Sequence, residues 1–324
     1  MYDLFFYEAF EEEVQALKSV MDEDIKAGFS RKTIQEEAGQ FPPAPLLSIR
    51  TQSVIPVSWA GHFKAILTRS TGYDHLLKYK NEVEAPIHYG YLPLYCNRAV
   101  AEQACMLWLS LLRKLKLQIT QFKSFNRDGL TGLESEKKTL VVVGVGNIGS
   151  EVVRIGEGLG MQILGVDIVQ RFDHVTYVSI EDAIARADII VCAMNLTEKN
   201  VAYFNYERLI NTKKGIIFIN VARGEMSPSG DLLKLIEEGH LGGLGMDVFD
   251  REAELATSAR QGKKTLPAEI QATMVLAEKD NVIFTPHNAF NTRESVMRKS
   301  QQSIQQIEHF LNKGQFIWPI PESG

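Results

Sequence analysis

A strand, a glycine-rich turn, a helix and a second strand follow one another between residues 138 and 169, and this stretch constrains the fold most. The apolar run from Leu140 to Val143 predicts a parallel strand that is buried on both faces. The glycines come directly after it, and the second strand, Met161 to Val166, ends at Asp167. This order is typical of a unit that binds a dinucleotide.

Three glycines mark the turn, namely Gly144, Gly146 and Gly149. The first allows the tight turn, the second lets the backbone approach a pyrophosphate, and the third lets the helix close on the strand. The helix begins near Asn147 and Ile148, where unpaired N–H groups and the helix dipole favour phosphate charge. Asp167 lies where a carboxylate can accept hydrogen bonds from a ribose diol.

The composition excludes several classes of protein. The net charge is −5 and the basic residues are scattered, which argues against a nucleic-acid partner. No apolar run approaches the ~20 residues of a membrane span, and the first residues lack the features of a signal peptide. Three cysteines, Cys96, Cys105 and Cys192, are too few and too dispersed for a disulfide framework or a metal site. We therefore expect a cytoplasmic protein with no metal ion and no membrane partner.

The chain before the glycine turn predicts a small α/β domain. Asp3 to Tyr7, Leu46 to Ile49 and Phe63 to Leu67 have the pattern of strands. The acidic run from Glu11 to Glu13 predicts a solvated helix start. A long helix is predicted from Ala99 to Lys116, because apolar side chains recur there at helical spacing.

Strands and helices alternate after the glycine turn. The further strands are predicted at Ile189 to Cys192, Ile216 to Val221, Leu244 to Val248 and Val282 to Phe284. Such alternation predicts a doubly wound parallel sheet, whose ligands bind beyond the carboxyl ends of the strands. We predict a dinucleotide-binding domain at residues 99–289 and a substrate domain made of residues 1–98 and 290–324, which includes a helix from Thr292 to Lys313.

Three polar residues follow three of these strands, as the reduction of a 2-oxo acid would require. That reaction needs a hydride donor, a cation that polarises the carbonyl group, and an acid that protonates the alkoxide. Arg223 can supply the cation, because a guanidinium group grips a carboxylate or a 2-oxo acid with two hydrogen bonds. His287 can supply the acid, and Glu252 can hold its imidazole in one tautomer.

At this point the chain resembles the D-isomer-specific 2-hydroxyacid dehydrogenases over nearly its whole length. The glycine turn carries the resemblance together with three further segments, Asn220 to Gly224, Met246 to Phe249 with Glu252, and Thr285 to His287. The resemblance implies an α/β fold of two Rossmann-like doubly wound domains, with the dinucleotide-binding domain inserted into a smaller flavodoxin-like substrate domain. It also implies Arg223, Glu252 and His287 as catalytic residues.

The cofactor implied by the resemblance is NAD. The cofactor-binding residues would be Gly144, Gly146, Asn147, Ile148, Gly149, Asp167, Met194, Asn195, Ala222 and Asp247, with Asp247 on the nicotinamide amide. NADH should be preferred over NADPH, because Asp167 would repel a 2′-phosphate.

Within the family the chain looks most like the D-lactate dehydrogenase branch. Arg69 to Asp74 matches the loop whose backbone N–H groups hold the substrate carboxylate, here those of Thr71 and Gly72. Tyr95 matches a substrate-contacting tyrosine, and Phe290 matches a packing residue at the substrate. Two departures concern substrate preference: Cys96-Asn97 stands where the branch usually has Ser-Pro, and Asn195 where the family commonly has a proline.

The resemblance implies a homodimer that reduces a small 2-oxo acid, with pyruvate as the first candidate. Hydroxypyruvate, glyoxylate or a branched 2-oxo acid are alternatives, since the catalytic set would be the same. A different class remains open as well, because nuclear corepressors of this fold bind NAD and act as dimeric scaffolds. A scaffold would bind NADH and turn over poorly on every 2-oxo acid.

Overall fold

The computed structural model describes residues 2–37, 39–262 and 265–321, and it divides the chain into two compact units. Unit 1 consists of residues 1–96 and 291–324, and unit 2 consists of residues 97–290. No helix among the described residues is both long enough and apolar enough to cross a membrane.

Unit 1 alternates short strands with helices. Its elements before unit 2 are β1 (Leu4–Phe6), α1 (Glu11–Val20), β2 (Ala27–Phe29), α2 (Ile34–Glu37), β3 (Leu46–Ile49), β4 (Ala65–Thr68), α3 (Asp74–Glu82) and β5 (His88–Gly90). All its strand pairs are parallel, and the order across the sheet is β2-β1-β3-β4-β5, which is flavodoxin-like. The sequence pattern missed β2 and β5, because each of these three-residue strands contains a glycine, a residue that is depleted in strands.

Unit 2 contains the predicted dinucleotide-binding unit and the longer strands. Its elements are α4 (Asn97–Leu112), α5 (Leu115–Gln121), β6 (Thr139–Val143), α6 (Asn147–Gly158), β7 (Gln162–Val166), α7 (Ile180–Arg186), β8 (Ile189–Cys192), α8 (Tyr206–Leu209), β9 (Ile216–Asn220), α9 (Ser229–Glu237), β10 (Leu241–Met246), α10 (Glu252–Gln261), α11 (Ala268–Ala277) and β11 (Val282–Phe284). The last helix of the chain, α12 (Arg293–Lys313), belongs to unit 1. Thr292 caps its first turn through a hydrogen bond from Ser295 N.

The sheet of unit 2 is parallel, with the order β11-β10-β9-β8-β6-β7. The connections reverse direction between β6 and β8, and ligands of doubly wound sheets bind at such a point. Every residue of β6, β8 and β9 is buried, because helices cover both faces of the sheet. Both units therefore have the predicted doubly wound parallel architecture.

The predicted long helix from Ala99 to Lys116 is interrupted. α4 ends at Leu112, and Lys114 adopts a left-handed conformation (φ 52°) before α5 begins. The apolar spacing continues across this break, so the sequence pattern could not show it. The ammonium group of Lys116 on α5 donates to the carbonyl groups of Ala277 and Lys279, 2.8 and 2.7 Å away. These contacts fix α5 against the turn that leads into β11.

Candidate active site

The glycine turn after β6 has the geometry that a bound pyrophosphate requires. Gly144 has φ +92°, and a Cβ there would lie 2.7 Å from the backbone of Met194. A Cβ on Gly149 would lie 2.0 Å from the carbonyl oxygen of Gly144, so α6 can approach β6 only with glycine at this position. A Cβ on Gly146 would meet nothing within 4 Å. Open space beside this backbone and the free N–H groups at Asn147 and Ile148 fit the phosphates of NAD.

Asp167 directly follows β7, beside the glycine turn. Its Oδ2 accepts a hydrogen bond from Val145 N at 2.6 Å, and its Oδ1 accepts one from Val169 N at 3.0 Å. These contacts fix the carboxylate at the carboxyl end of the sheet, and the side chain keeps partial exposure. A carboxylate has about four lone-pair sites, so acceptor sites remain for a ribose diol. The ribose contact itself stays a prediction.

The segments after β8 and β9 lie at the same edge of the sheet. Met194 is half-buried and Asn195 is exposed, and the carbonyl oxygen of Asn195 accepts a hydrogen bond from Asn200 at 2.8 Å. Ala222 is buried, and its N–H donates to the side chain of Asn220 at 2.9 Å. The segment after β8 therefore lies at the strand order reversal and the segment after β9 lies one strand away from it. The contacts of both segments with a cofactor remain predictions.

Arg223 is presented by a turn that two neighbouring residues shape. Asn220, fully buried, donates from its amide group to the carbonyl oxygen of Arg223 at 2.9 Å and to Ser227 Oγ at 2.8 Å. A Cβ on Gly224 would lie 1.8 Å from the backbone of Phe249, so only glycine allows this approach. The guanidinium group donates to the carbonyl oxygen of Ala222 at 2.8 Å.

Glu252 and His287 form an ion-pair contact although they lie on different elements. Glu252 begins α10, and His287 follows β11 with a left-handed backbone (φ 51°). His287 Nδ1 lies 2.6 Å from Glu252 Oε1, and about a fifth of each side chain is exposed (21% and 19%). Burial raises the pKa of Glu252, but the charges of His287 and Arg223 outweigh it and the pKa is lowered. The carboxylate is therefore ionised at neutral pH.

Asp247 anchors the loop that carries the histidine. Its Oδ1 accepts hydrogen bonds from Thr285 Oγ1 at 2.5 Å and Asn288 N at 2.9 Å, and its Oδ2 accepts one from Ala289 N at 2.8 Å. The side chain is buried, and this burial raises its pKa against the effect of these hydrogen bonds. These three hydrogen bonds occupy three acceptor sites of the Asp247 carboxylate. Its contact with the nicotinamide amide stays a prediction.

The loop after β4 in unit 1 offers backbone donors. Among the described residues, the N–H groups of Thr71 and Gly72 donate no hydrogen bond. The turn is held by its neighbours, since Ser70 Oγ donates to the carbonyl oxygen of Gly72 at 2.7 Å and Thr71 Oγ1 donates to that of Leu92 at 3.1 Å. Two free N–H groups on a fixed turn suit an anion such as a carboxylate.

Arg69, which precedes this loop, is fully buried and binds three groups. Its Nε donates to Glu13 Oε1 at 2.9 Å, its Nη1 to Ser48 Oγ at 3.0 Å, and its Nη2 to the carbonyl oxygen of Tyr7 at 2.7 Å. Lys299 on α12 lies 2.7 Å from the same Glu13 oxygen, and both side chains are fully buried. The interpretation of residues 11–13 as a solvated helix start is thus wrong for Glu13. Sequence pattern missed this cluster, because its members lie in three polar stretches of the chain.

The two predicted aromatic contacts are both buried. Tyr95 is 4% exposed, and burial and the neighbouring Cys96 thiol raise the pKa of its phenol well above the usual value. Its carbonyl oxygen accepts hydrogen bonds from Ser295 Oγ and Arg298 Nε, both at 2.9 Å. Phe290 is 7% exposed and closes unit 2. Direct contact of either ring with a substrate stays a prediction.

Comparison with known proteins covers both units. The family described as "D-isomer specific 2-hydroxyacid dehydrogenase, NAD binding domain" matches residues 105–289. D-lactate dehydrogenase of Escherichia coli is 30% identical over 230 residues, which are 69% of this chain and 69% of that protein. Aromatic 2-oxoacid reductase of Clostridium sporogenes is 28% identical over 257 residues, 78% of this chain and 76% of that protein.

The fold is also similar to solved structures. The D-lactate dehydrogenase of Aquifex aeolicus, solved with NAD and lactic acid, superposes with a TM-score of 0.85 at 28% identity, over 99% of this chain and 100% of that one. A D-2-hydroxyisocaproate dehydrogenase superposes with a TM-score of 0.81 at 24% identity, over 98% and 99% of the two chains.

Proposed function

The chain belongs to the D-isomer-specific 2-hydroxyacid dehydrogenases, NAD-dependent oxidoreductases, and we propose that it reduces a small 2-oxo acid, with pyruvate reduced to D-lactate as the first candidate. The observation that carries this proposal is the 2.6 Å contact between His287 and Glu252, with the charge of Arg223 acting on the same carboxylate. An imidazole held by a carboxylate beside a guanidinium group suits proton transfer to an alkoxide.

His287 would act as the general acid in reduction and as the general base in the reverse direction. Because Nδ1 faces Glu252, the other ring nitrogen, Nε2, is the atom that would give its proton to the substrate oxygen. Glu252 would stabilise the protonated ring and fix its orientation. NAD, when bound as NADH, supplies the hydride that reduces the carbonyl carbon.

Arg223 would polarise the carbonyl group and bind the substrate carboxylate. Its backbone is fixed by Asn220 and by the close approach at Gly224, so the guanidinium group is presented from a rigid turn. We also propose the free N–H groups of Thr71 and Gly72 as donors to a substrate carboxylate, and Tyr95 and Phe290 as residues that contact the substrate.

The cofactor would lie along the carboxyl edge of the sheet in unit 2. The N–H groups at Gly146, Asn147 and Ile148 would bind the pyrophosphate, and Asp167 would bind the ribose diol. The nicotinamide half of the cofactor would lie against four further residues, Met194, Asn195, Ala222 and Asp247. NADH would be preferred over NADPH, because the Asp167 carboxylate would repel a 2′-phosphate.

Support for pyruvate comes from the relatives that are named D-lactate dehydrogenases. Because another relative is an aromatic 2-oxoacid reductase, larger 2-oxo acids are alternative substrates. The test follows NADH oxidation with pyruvate, hydroxypyruvate, glyoxylate, 2-oxobutyrate and 2-oxoisocaproate. Fast turnover on one of them, with chiral analysis giving the D product, is the expected result. Tight NADH binding with negligible turnover on every 2-oxo acid would contradict the proposal.

We also propose that the protein is a homodimer joined through unit 2. α5 has no buried residue, Leu115 and Ile119 lie on one of its faces at helical spacing, and Phe122 directly follows its last residue. Ile119 and Phe122 are 66% and 73% exposed, and exposed apolar faces of this kind mark interaction sites. Light scattering should give a dimer that the double variant Ile119→Ser, Phe122→Ser converts to a monomer. Val54→Ser, an exposed apolar position in unit 1, should leave the dimer intact.

We propose the cytoplasm as the compartment. Cys96, Cys105 and Cys192 are free thiols, and burial raises the pKa of all three, which favours the unreactive protonated form. Thiol labelling of the denatured protein from cells should find all three reduced, whereas a disulfide would contradict this placement.

A further inference from the structure

His287 has a backbone conformation that costs free energy. Its φ of 51° lies in the left-handed region, which is uncommon for residues other than glycine. The turn before it is tight, since His287 N donates to the carbonyl oxygen of Thr285 at 2.9 Å. Backbone strain of this kind persists only where the surrounding structure holds it. The contacts that hold the loop of residues 285–290 therefore determine where the imidazole lies.

Asp247 holds this loop on both sides of the histidine. Its carboxylate accepts hydrogen bonds from the N–H groups of Asn288 and Ala289, at 2.9 and 2.8 Å. On the other side, Oδ1 accepts one from Thr285 Oγ1 at 2.5 Å. Burial raises the pKa of Asp247, and the Thr285 hydroxyl makes the largest contribution that lowers it. Thr285 thus helps to keep Asp247 in the ionised form, which can accept from every one of these donors.

Gln103 determines the direction of the Thr285 hydroxyl. It lies on α4, and its Nε2 is 3.1 Å from Thr285 Oγ1. An amide nitrogen can only donate, so the hydroxyl oxygen accepts this hydrogen bond and its single proton is directed to Asp247. These three side chains form one network, Gln103–Thr285–Asp247, in which each donor and each acceptor is fixed.

α4 gives this network a rigid base in the core of unit 2. The helix packs against α6 and β10, and its side chains next to Gln103 are fully buried, namely Ala101, Ala104 and Leu107. Gln103 and Thr285 are 182 positions apart in the sequence. Their hydrogen bond therefore connects the histidine loop to a helix from the other end of the same unit.

We propose that Gln103 and Thr285 are positioning residues for the proposed proton transfer. They act through Asp247, which holds the loop that carries His287. The inference rests on the proposed function, because it concerns the same histidine. With the network intact, the loop keeps the strained conformation that places the imidazole against Glu252. With the network broken, the loop relaxes in part of the molecules, and kcat falls in proportion to the fraction whose loop stays in place.

The test removes the hydroxyl group while keeping the shape of the side chain. Thr285→Val should lower kcat roughly ten- to hundredfold, as expected for the loss of a hydrogen bond to a charged group. Thr285→Ser keeps the hydroxyl and should retain most of the activity. Gln103→Met keeps the length of the side chain without the donor, and kcat should fall roughly two- to tenfold. Because both residues act in one network, the double variant should lose little more than Thr285→Val alone.

Thr212→Val is the matched control for the loss of a hydrogen-bonded hydroxyl. Thr212 Oγ1 donates to the carbonyl oxygen of Leu209 at 2.6 Å and lies 3.0 Å from His240 Nε2. This residue belongs to unit 2 but precedes β9, at the end of the sheet opposite to the candidate site. Both valine variants should lower the urea midpoint, whereas only Thr285→Val should lower kcat.

Hydrogen exchange tests the loop without any turnover. The N–H groups of the two residues that follow His287 should exchange faster in Thr285→Val and Gln103→Met than in the unaltered protein. Their exchange in Thr212→Val should stay unchanged. Unchanged exchange in the first two variants, or faster exchange with an unchanged kcat, would overturn the inference and leave 2-oxo acid reduction intact. Faster exchange in a protein that turns over no 2-oxo acid would instead overturn the proposed function.

Discussion

Each unit of the molecule contains a glutamate that contacts a basic side chain at nearly the same distance. Glu252 in unit 2 lies 2.6 Å from His287, and Glu13 in unit 1 lies 2.7 Å from Lys299. About a fifth of each side chain is exposed in the first pair, and none in the second. The two pairs therefore differ in burial far more than in geometry.

That difference in burial suits the two pairs to different tasks. A partly exposed pair can exchange its proton with a substrate, because solvent compensates each change of charge. A fully buried pair loses much more if one partner is removed, because the remaining charge has no water to solvate it. We interpret Glu252–His287 as the pair that takes part in proton transfer. We interpret Glu13–Lys299 as a structural pair that stabilises the packing of α1 against α12.

Replacement of His287, the proposed general acid, should have the largest effect on activity. His287→Gln removes the proposed general acid for the alkoxide, so kcat should fall roughly 10²- to 10⁴-fold. NADH affinity and the midpoint of urea unfolding should stay unchanged, because the side chain is partly solvated. Steady-state kinetics and NADH fluorescence measure both. A loss of less than tenfold would assign proton transfer to another group.

Replacement of the buried acid should have the largest effect on stability. Glu13→Gln leaves Arg69 and Lys299 buried without a carboxylate, and the free energy of unfolding should fall by about 3–5 kcal/mol. Urea unfolding measures this loss. Glu12→Gln is the matched control, because Glu12 directly precedes Glu13 in α1 and its side chain is exposed. Equal stability of the two variants would contradict the holding role of Glu13.

The pH dependence of unfolding gives a second readout of the same pair. The pKa of Glu13 is lowered to about 2 from 4.5, so its ionised form stabilises the fold above pH 4.5 and this contribution is lost as the pH falls towards 2. Glu13→Gln should unfold with a weaker dependence on pH in that window. The same slope in both proteins would show that other carboxylates dominate acid unfolding.

Glu252→Gln should have an intermediate effect that falls on activity alone. The amide can still hold the ring, but it no longer stabilises the protonated imidazole, so kcat should fall roughly 10- to 100-fold. Its unfolding free energy should change much less than that of Glu13→Gln. Glu254→Gln, two positions further along α10 and exposed, is the control for a charge lost from that helix.

Lys299→Met should lower the free energy of unfolding by less than Glu13→Gln does, because Glu13 keeps its buried ion pair with Arg69 after this change. Burial and the charges of Arg50 and Arg69 lower the pKa of Lys299 to about 7, while Glu13 raises it. Between pH 7 and 10.5 the unfolded chain therefore holds more protons than the folded one, and stability gains with rising pH. Unfolding across this window should show the gain in the unaltered protein and not in the variant.

The sequence predicted much of unit 2 because its strands are buried on both faces and appear as continuous apolar runs. β8 and β11 begin and end as predicted, while β9 ends one residue early at Asn220 and β10 starts earlier, at Leu241. Polar residues directly after such runs are visible without a structure, which is why Glu252 and His287 could be paired in advance.

The sequence could not predict the parts that depend on contacts between distant residues. Lys299 lies in a polar stretch of α12 that predicts an exposed face, and only the fold brings it to Glu13. The break at Lys114 was missed because the apolar spacing continues across it.

Unit 1 is assembled from chain on both sides of unit 2, and this has a consequence for biosynthesis. Ser295 binds the carbonyl group of Tyr95, 200 residues away along the chain. At roughly 5–20 residues per second, a ribosome needs about 10–40 seconds to make that stretch. During this time unit 2 can fold as one continuous segment, while the sheet of unit 1 lacks α12 and keeps apolar surface exposed. Chaperone dependence should therefore arise in the unit that is begun first and completed last.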